Sequence, residues 1–114
     1  MTLLARLVSQ EEGFNVPGSI PNRRNNPGDL RHSPHSSHEG EGSNDIGIID
    51  TPEEGWADLE RQLQLDAARG MTLQQFVETY APEEENDTQR YLDYLCKGLR
   101  LTPNDTVTEA LTIP

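Results

Sequence analysis

The stretch from residue 11 to residue 31 constrains the fold most, because it ends one helix and keeps regular structure from following directly. The apolar residues ahead of it recur at helical spacing: Leu3, Leu4, Leu7 and Val8. This spacing predicts an amphipathic first helix over residues 2–10. Gly13 is the expected stop, since glycine commonly follows the last helical residue. Three prolines, two further glycines and four asparagines come next, before Asp29, so residues 15–26 are predicted to form a loop.

Two carboxylates, Glu11 and Glu12, close the predicted helix beside this irregular stretch. The helix dipole places partial negative charge at the C-terminus, and this charge, like burial, disfavours an ionised carboxylate. Both effects raise a carboxyl pKa towards the range that a general acid needs near neutral pH. Helical phase puts Glu11 near the centre of the apolar face and Glu12 at its edge, so periodicity favours Glu11 as the more buried acid. The alternative is an ordinary solvated glutamate at a helix end.

The rest of the chain predicts one short hairpin and three more helices. Residues 29–32 and 45–50 are candidate strands, and we expect them to pair. The helices run from the cap Thr51 to Gly70, from the cap Thr72 to Pro82, and from Asn86 or Asp87 to about Gly98. Residues 102–114 contain two prolines and are predicted to be a loose tail. The sequence therefore predicts a single domain over residues 1–114, mainly α of the α+β kind, with about four helices and a hairpin between the first two.

Composition excludes several classes of partner. The formal net charge is −11, which argues against nucleic acid, because binding there depends on Lys and Arg that neutralise phosphates. No run of about 18 apolar residues is present, so neither a membrane span nor a membrane partner is expected. Residues 2–8 are too short and too interrupted for a signal peptide. We expect a monomer that is made without one.

Three histidines recur at every third position between the candidate strands: His32, His35 and His38, with Glu39 and Glu41 beside them. Imidazole and carboxylate are zinc ligands, so a metal site is one interpretation. The segment is rich in Ser and Gly and has no cysteine, which favours a loop over a cleft instead. We therefore expect neither a metal nor another cofactor.

Several motifs resemble those of one protein group. Glu12-Gly13-Phe14, after an apolar helix, resembles the catalytic Glu-Gly junction of phage-type lysozymes. The run Arg-Asn-Asn-Pro-Gly-Asp-Leu-Arg at 24–31 resembles the Asn-Asn-Pro-Gly-Asn-Leu/Ile-Arg motif of small phage and prophage proteins in the lysozyme-like superfamily, which are muralytic or virion proteins. Residues 51–56 and 80–91 are similar to the same group. Together these stretches span most of residues 4–99.

The resemblance implies a lysozyme-like fold that cleaves the β-1,4 glycan strand of peptidoglycan. Glu12 would be the general acid that protonates the leaving oxygen, with Glu11 as the runner-up. Phage-type lysozymes also carry an Asp and a Thr at set distances, and no acid stands in the corresponding residues 21–27. The candidates for a second acid, by composition alone, are Asp29, Asp45 and Asp50. Without one, the site would act as a lytic transglycosylase, which uses a single Glu as acid and then as base.

Five further residues are candidates for substrate binding or structural support: Asn25, Asn26, Arg31, Tyr80 and Tyr91. Asparagine cannot titrate, so Asn25 and Asn26 are predicted to support the loop. The resemblance also implies a protein made in the bacterial cytoplasm that acts on the wall after release or as part of a virion. The alternative is an inactive lysozyme-like virion structural or interaction protein, which the acidic charge favours because bacterial walls are anionic.

Overall fold

The computed structural model describes residues 1–37, 46–83 and 87–114, and these residues are mainly helical, as predicted. The helices are α1 (Leu3–Glu11), α2 (Ile20–Arg23), α3 (Pro52–Ala68), α4 (Leu73–Tyr80), α5 (Thr88–Leu99) and α6 (Val107–Ala110). The described residues thus form six helices rather than about four, because α2 and α6 are additional single-turn helices. No helix among these residues is long and apolar enough to cross a membrane.

The four longer helices begin where the sequence predicts, because each start carries a side chain that satisfies free backbone N–H groups. The Thr51 hydroxyl accepts from the Glu54 amide at the start of α3. Thr72 caps α4 in a reciprocal capping box. Asp87 caps α5 by accepting from the Arg90 amide, whereas Asn86, the other candidate cap, lies outside the described residues.

The C-terminal residues are packed, and the prediction of a loose tail over 102–114 is wrong. Thr106 and Glu109 form a capping box that starts α6. Val107 and Ala110 are fully buried, and the Val107 amide donates to the Met71 carbonyl at 2.9 Å. Two prolines flank this helix without interrupting it, so the apolar spacing of the tail decides its structure.

The predicted hairpin is not formed as a sheet in the part of the chain that the structure describes. One isolated antiparallel bridge joins Ser37 to Ile48, and the Gly47 amide donates to the Leu30 carbonyl at 2.9 Å. Residues 29–32 are not a strand, because Asp29 has a φ of +52°, in the left-handed region that strands do not use. Two irregular segments therefore lie side by side with few ladder bonds.

The loop predicted over residues 15–26 contains the short helix α2. The Ser19 side chain accepts from the Asn22 amide, and a proline occupies the first turn, where its missing N–H has no cost. This helix ends at Arg23 with Arg24 as its C-cap, and Asn25 follows with a φ of +52°. Since α2 spans one turn only, the stretch still works as a compact connection from α1 to the start of α3.

The core lies where α1 packs on α3 and α5, α4 packs on α5, and α6 packs on α3. Its largest fully buried side chains include Phe76, Leu4, Leu59, Leu63 and Leu95. Burial of each such side chain stabilises the fold by about 1.5–3 kcal/mol. This packing brings the C-terminal end of α1, the turn at 28–31, one face of α3 and the end of α4 to the same side of the molecule.

Candidate cleft around Glu12

These four segments enclose an open cleft of about 570 Å³. Its wall is polar, and the side chains that carry charge or an amide are Glu12, Asp29, Arg31, Gln62, Asp66 and Arg69. A cleft with a few converging polar groups is the kind of site that binds small molecules or chain segments. The predicted acid Glu12 therefore lines an open polar cleft.

Glu12 is the C-cap of α1, where its backbone amide donates to the Val8 carbonyl at 2.9 Å. Gly13 follows with a φ of +84°, so the chain turns away directly after the carboxylate. The pKa of Glu12 is raised from 4.5 to about 7, mainly because burial disfavours the charged form. A hydrogen bond from the Tyr91 hydroxyl to Oε2, at 2.8 Å, opposes this rise, while the nearby Asp29 adds to it.

Glu11 occupies a different environment, although periodicity favoured it. Its two carboxylate oxygens accept hydrogen bonds from Arg90 on α5 at 2.7 and 3.1 Å. The Glu11 side chain is only 9% exposed, as its helical phase predicted, but an ion pair covers it and it does not line the cleft. Of the two neighbours, Glu12 is the one that lines the cleft.

Asp29 is the predicted second acid that lies beside Glu12. Its Oδ1 is buried and has no hydrogen-bond partner among the described residues, and its side chain contacts that of Glu12. Burial raises the pKa of Asp29, while the contact with Glu12 and the charge of Arg31 lower it. Asp50 is exposed and outside the cleft, and Asp45 lies outside the described residues.

Asn26 holds the turn that carries Asp29. It is fully buried, and its side-chain amide donates to the carbonyls of Leu30 at 2.7 Å and Gly47 at 2.9 Å. Its Oδ1 accepts from the Leu30 amide at 3.0 Å. One side chain thus replaces the ladder bonds that a hairpin would have supplied, which is the supporting role that the sequence predicted.

Asn25 ties the same turn to the segment before α3. Its side-chain amide donates to the carbonyls of Ile49 at 3.0 Å and Asp50 at 3.1 Å. The approach of this turn to α3 is close, because a Cβ on Gly55 would lie 1.9 Å from the Asn25 carbonyl oxygen. Only glycine fits at that position of α3. Asn25 does not line the cleft, so its geometry is also that of support.

The two tyrosines expected near the site fix its geometry from opposite sides. Tyr80, at the end of α4, lines the cleft and donates a hydrogen bond to the Gly28 carbonyl. Gly28 is packed so tightly that a Cβ there would lie 2.9 Å from both Leu59 Cδ1 and the Tyr80 hydroxyl oxygen. Tyr91 is 2% exposed and contacts Glu12 directly. Burial raises the pKa of both tyrosines, so both hydroxyls are neutral donors.

The histidine segment contains a contact that the sequence did not predict. His35 Nδ1 lies 2.6 Å from Oδ1 of Asp58, whose side chain is buried in the middle of α3. The Ser33 hydroxyl and the His35 amide donate to the other oxygen of Asp58 at 2.5 and 2.9 Å. This contact anchors residues 33–37 to α3. The described residues contain no group of three or more metal-ligating side chains; His38, Glu39 and Glu41 lie outside them.

The cleft also has a wall on α3 that sequence reasoning missed. Gln62, Asp66 and Arg69 lie on one face of the helix at successive spacings of four and three residues. Asp66 is almost fully buried, accepts a hydrogen bond from the Gln62 amide at 3.2 Å, and has a pKa that burial raises. A buried acid at helical spacing between two long polar side chains is the signal that points to this wall.

No protein-family model, curated protein or solved structure matches this chain. Any function therefore has to be argued from the geometry of the cleft together with the motif resemblance. The geometry supplies one carboxyl group that is half-protonated near pH 7, a second carboxyl group beside it, and an open polar cleft. Such a set can donate a proton to a leaving oxygen and stabilise positive charge nearby.

Proposed function

We propose that this protein cleaves the glycan strand of peptidoglycan, with Glu12 as the general acid. The observation that carries the proposal is the environment of Glu12: a helix C-terminus, a polar cleft, and a pKa raised to about 7 by burial. A carboxyl group with this pKa is still protonated in a large fraction of molecules near neutral pH. Glycoside cleavage requires such a proton donor, because the leaving oxygen has to be protonated as the bond breaks.

The proposed reaction begins with the strand in the cleft and the scissile oxygen at Glu12. Glu12 transfers its proton to that oxygen as the bond from the anomeric carbon breaks. In its ionised form, Asp29 beside it would stabilise the oxocarbenium-like centre. In a hydrolase, water then attacks the anomeric carbon and a carboxylate takes its proton. In a lytic transglycosylase, the sugar's own 6-hydroxyl attacks and Glu12 takes that proton back. We propose the hydrolase because a second carboxyl group, that of Asp29, lies beside the acid.

One observation favours a second candidate, a lysozyme-like virion or interaction protein without activity. The net charge of −11 repels an anionic wall polymer, and a fold can be kept after its chemistry is lost. The enzyme is the better supported of the two. A buried pair of acids lowers stability when it ionises, and catalysis gives a reason for that cost, whereas a structural role does not. On either proposal the protein is made in the bacterial cytoplasm and meets the wall after release or within a virion.

Mass spectrometry of the products from purified sacculi separates these proposals. We expect muropeptides with reducing ends from the wild-type protein and none from Glu12→Gln. Anhydro ends would show a transglycosylase and would overturn the assigned role of Asp29. If the wild-type protein binds sacculi but releases no products between pH 5 and 8, the enzymatic proposal is wrong and the virion alternative stands.

A further inference from the structure

The wall of the cleft on α3 carries polar groups that the proposed cleavage step does not use. Asp66 lies between Gln62 and Arg69 in the sequence, and it hydrogen-bonds Gln62 but not Arg69. The Asp66 carboxylate accepts from the Gln62 amide at 3.2 Å, and its Oδ1 is 4.0 Å from Arg69 Nη1. Because Asp66 is almost fully buried, its carboxylate has a fixed position between the two longer side chains.

Arg69 is the group on this wall that can bind a ligand most strongly. Its side chain is 64% exposed, and its distance to Asp66 is longer than a hydrogen bond. It donates no side-chain hydrogen bond to any residue in the described ranges. Arg90, by contrast, has both terminal nitrogens engaged by Glu11. The fork of N–H donors on Arg69 is therefore open to a molecule in the cleft.

The charge distribution indicates which ligand suits this wall. The chain has 20 acidic and 9 basic residues, and two of the basic residues, Arg31 and Arg69, line the cleft. Arg31 lies close enough to Asp29 to lower the pKa of that carboxyl. Arg69 instead lies 4.0 Å from Asp66. Guanidinium groups bind carboxylates through two parallel hydrogen bonds, a geometry that favours carboxylates over neutral groups.

We propose that Gln62 and Arg69 form a carboxylate subsite, which selects glycan strands whose sugars carry a carboxylate substituent. The inference rests on the proposed function and specifies its substrate. In peptidoglycan every second sugar bears a lactyl ether, whose carboxylate is free on strands without a stem peptide and is an amide where a peptide is attached. The attached peptides carry carboxylates of their own, whereas chitin-type polymers carry none. Arg69 binds the carboxylate and Gln62 offers its amide to neighbouring polar atoms of the same sugar. The subsite also explains how an acidic protein can hold an anionic polymer.

A binding experiment tests the subsite without depending on cleavage. The protein carries Glu12→Gln, so that the probe is not consumed. The probe is an oligosaccharide of alternating N-acetylglucosamine and N-acetylmuramic acid with free lactyl carboxylates. The comparison probe is the same oligosaccharide with those carboxylates converted to methylamides. By titration calorimetry at fixed salt, we expect the carboxylate form to bind about 5- to 10-fold more tightly, as for an exposed charge-assisted contact.

A matched pair of substitutions locates the effect. Arg69→Gln should abolish the difference between the two probes. Arg61→Gln removes the same charge from an exposed position of α3 outside the cleft, and it should leave the difference unchanged. The subsite is refuted if the two probes bind equally, if neither binds, or if Arg61→Gln acts as strongly as Arg69→Gln. If the Glu12→Gln protein binds the carboxylate probe selectively but the wild-type protein releases no products, the subsite stands and the proposed enzyme is refuted. The failure of one proposal can therefore be told from the failure of the other.

Discussion

The Tyr91 hydroxyl on α5 donates a hydrogen bond to Oε2 of Glu12 at 2.8 Å, across 79 residues of chain. The bond favours the ionised form of Glu12, whereas burial and the charge of Asp29 favour the neutral form, and burial is the largest of these influences. Because one oxygen is held by Tyr91, the proton of the neutral acid is directed to the other oxygen.

Replacement of Tyr91 by phenylalanine should shift the pH dependence of activity upwards. The hydrogen bond lowers the pKa of Glu12, so its loss raises that pKa above about 7 and moves the alkaline limb of the rate profile to higher pH. The buried hydrogen bond contributes about 1 kcal/mol to stability, and we expect a loss of that size. The control is Tyr94→Phe, whose hydroxyl contacts Gln10 instead. An alkaline limb that stays in place would show that Tyr91 does not influence the acid.

The stability of the protein should fall as pH rises through neutrality. The pKa of Glu12 is raised in the folded state, from 4.5 to about 7, so the stability linked to its proton is present below pH 4.5 and is lost as pH passes about 7. The loss can reach about 3 kcal/mol. Urea unfolding at several pH values should show that Glu12→Gln lacks this loss and is the more stable protein at pH 8.5. Parallel pH curves for the two proteins would contradict the raised pKa.

Asp29→Asn tests the second carboxyl group with little change in the backbone. Asparagine tolerates the left-handed conformation at this position as well as aspartate does. Since Asp29 raises the pKa of Glu12, the substitution should move the alkaline limb to lower pH. Hydrolysis should fall by about 100-fold or more through loss of the second carboxylate. Asp50→Asn, at an exposed position outside the cleft, is the control. Full hydrolytic activity of Asp29→Asn at pH 6 would contradict its assigned role.

Asn26→Ala should destabilise the protein by about 2–4 kcal/mol, because it leaves the Leu30 amide and the Gly47 carbonyl without their side-chain partner in a buried turn. It also removes one of the two donors to the Leu30 carbonyl, which keeps its bond from the Gly47 amide. Activity should fall in proportion to the folded fraction, since Asn26 does not reach the cleft. Asn104→Ala is an exposed control. Unfolding free energy and lysis rate are measured on the same preparations. A variant that is fully stable but inactive would show that Asn26 contacts the substrate.

Helix starts were predictable from the sequence, because their causes are local. Thr51, Thr72 and Asp87 each accept a hydrogen bond from an amide three residues further on. The turn at Asp29 was not predictable as a turn, since a short apolar-polar run suits a strand equally well. The Asn26 side chain holds this turn through local bonds to Leu30 and through the Gly47 carbonyl, and the bond to Gly47 forms only when the chain has folded.

The site was predictable in part for the same reason. The resemblance favoured Glu12, and the helical phase favoured Glu11. Neither could show that Arg90, on another helix, donates hydrogen bonds to Glu11. Asp29 was one of three candidate acids, and only the fold brings it to Glu12. The wall formed by Gln62 and Arg69 was missed, because polar residues on a long helix are usually solvated and their face is known only once the helix is packed.

The central claim is that Glu12, and not its neighbour, is the general acid. Release of soluble muropeptides from purified sacculi at pH 6 tests it most directly, with wild-type protein, Glu12→Gln and Glu11→Gln compared at equal folded concentration. The claim predicts that Glu12→Gln releases nothing above background. It also predicts that Glu11→Gln, which loses its ion pair with Arg90 and a minor charge effect on the pKa of Glu12, keeps at least about half of the wild-type rate. The reason is that Glu11 does not line the cleft. An active Glu12→Gln together with an inactive Glu11→Gln would contradict the account.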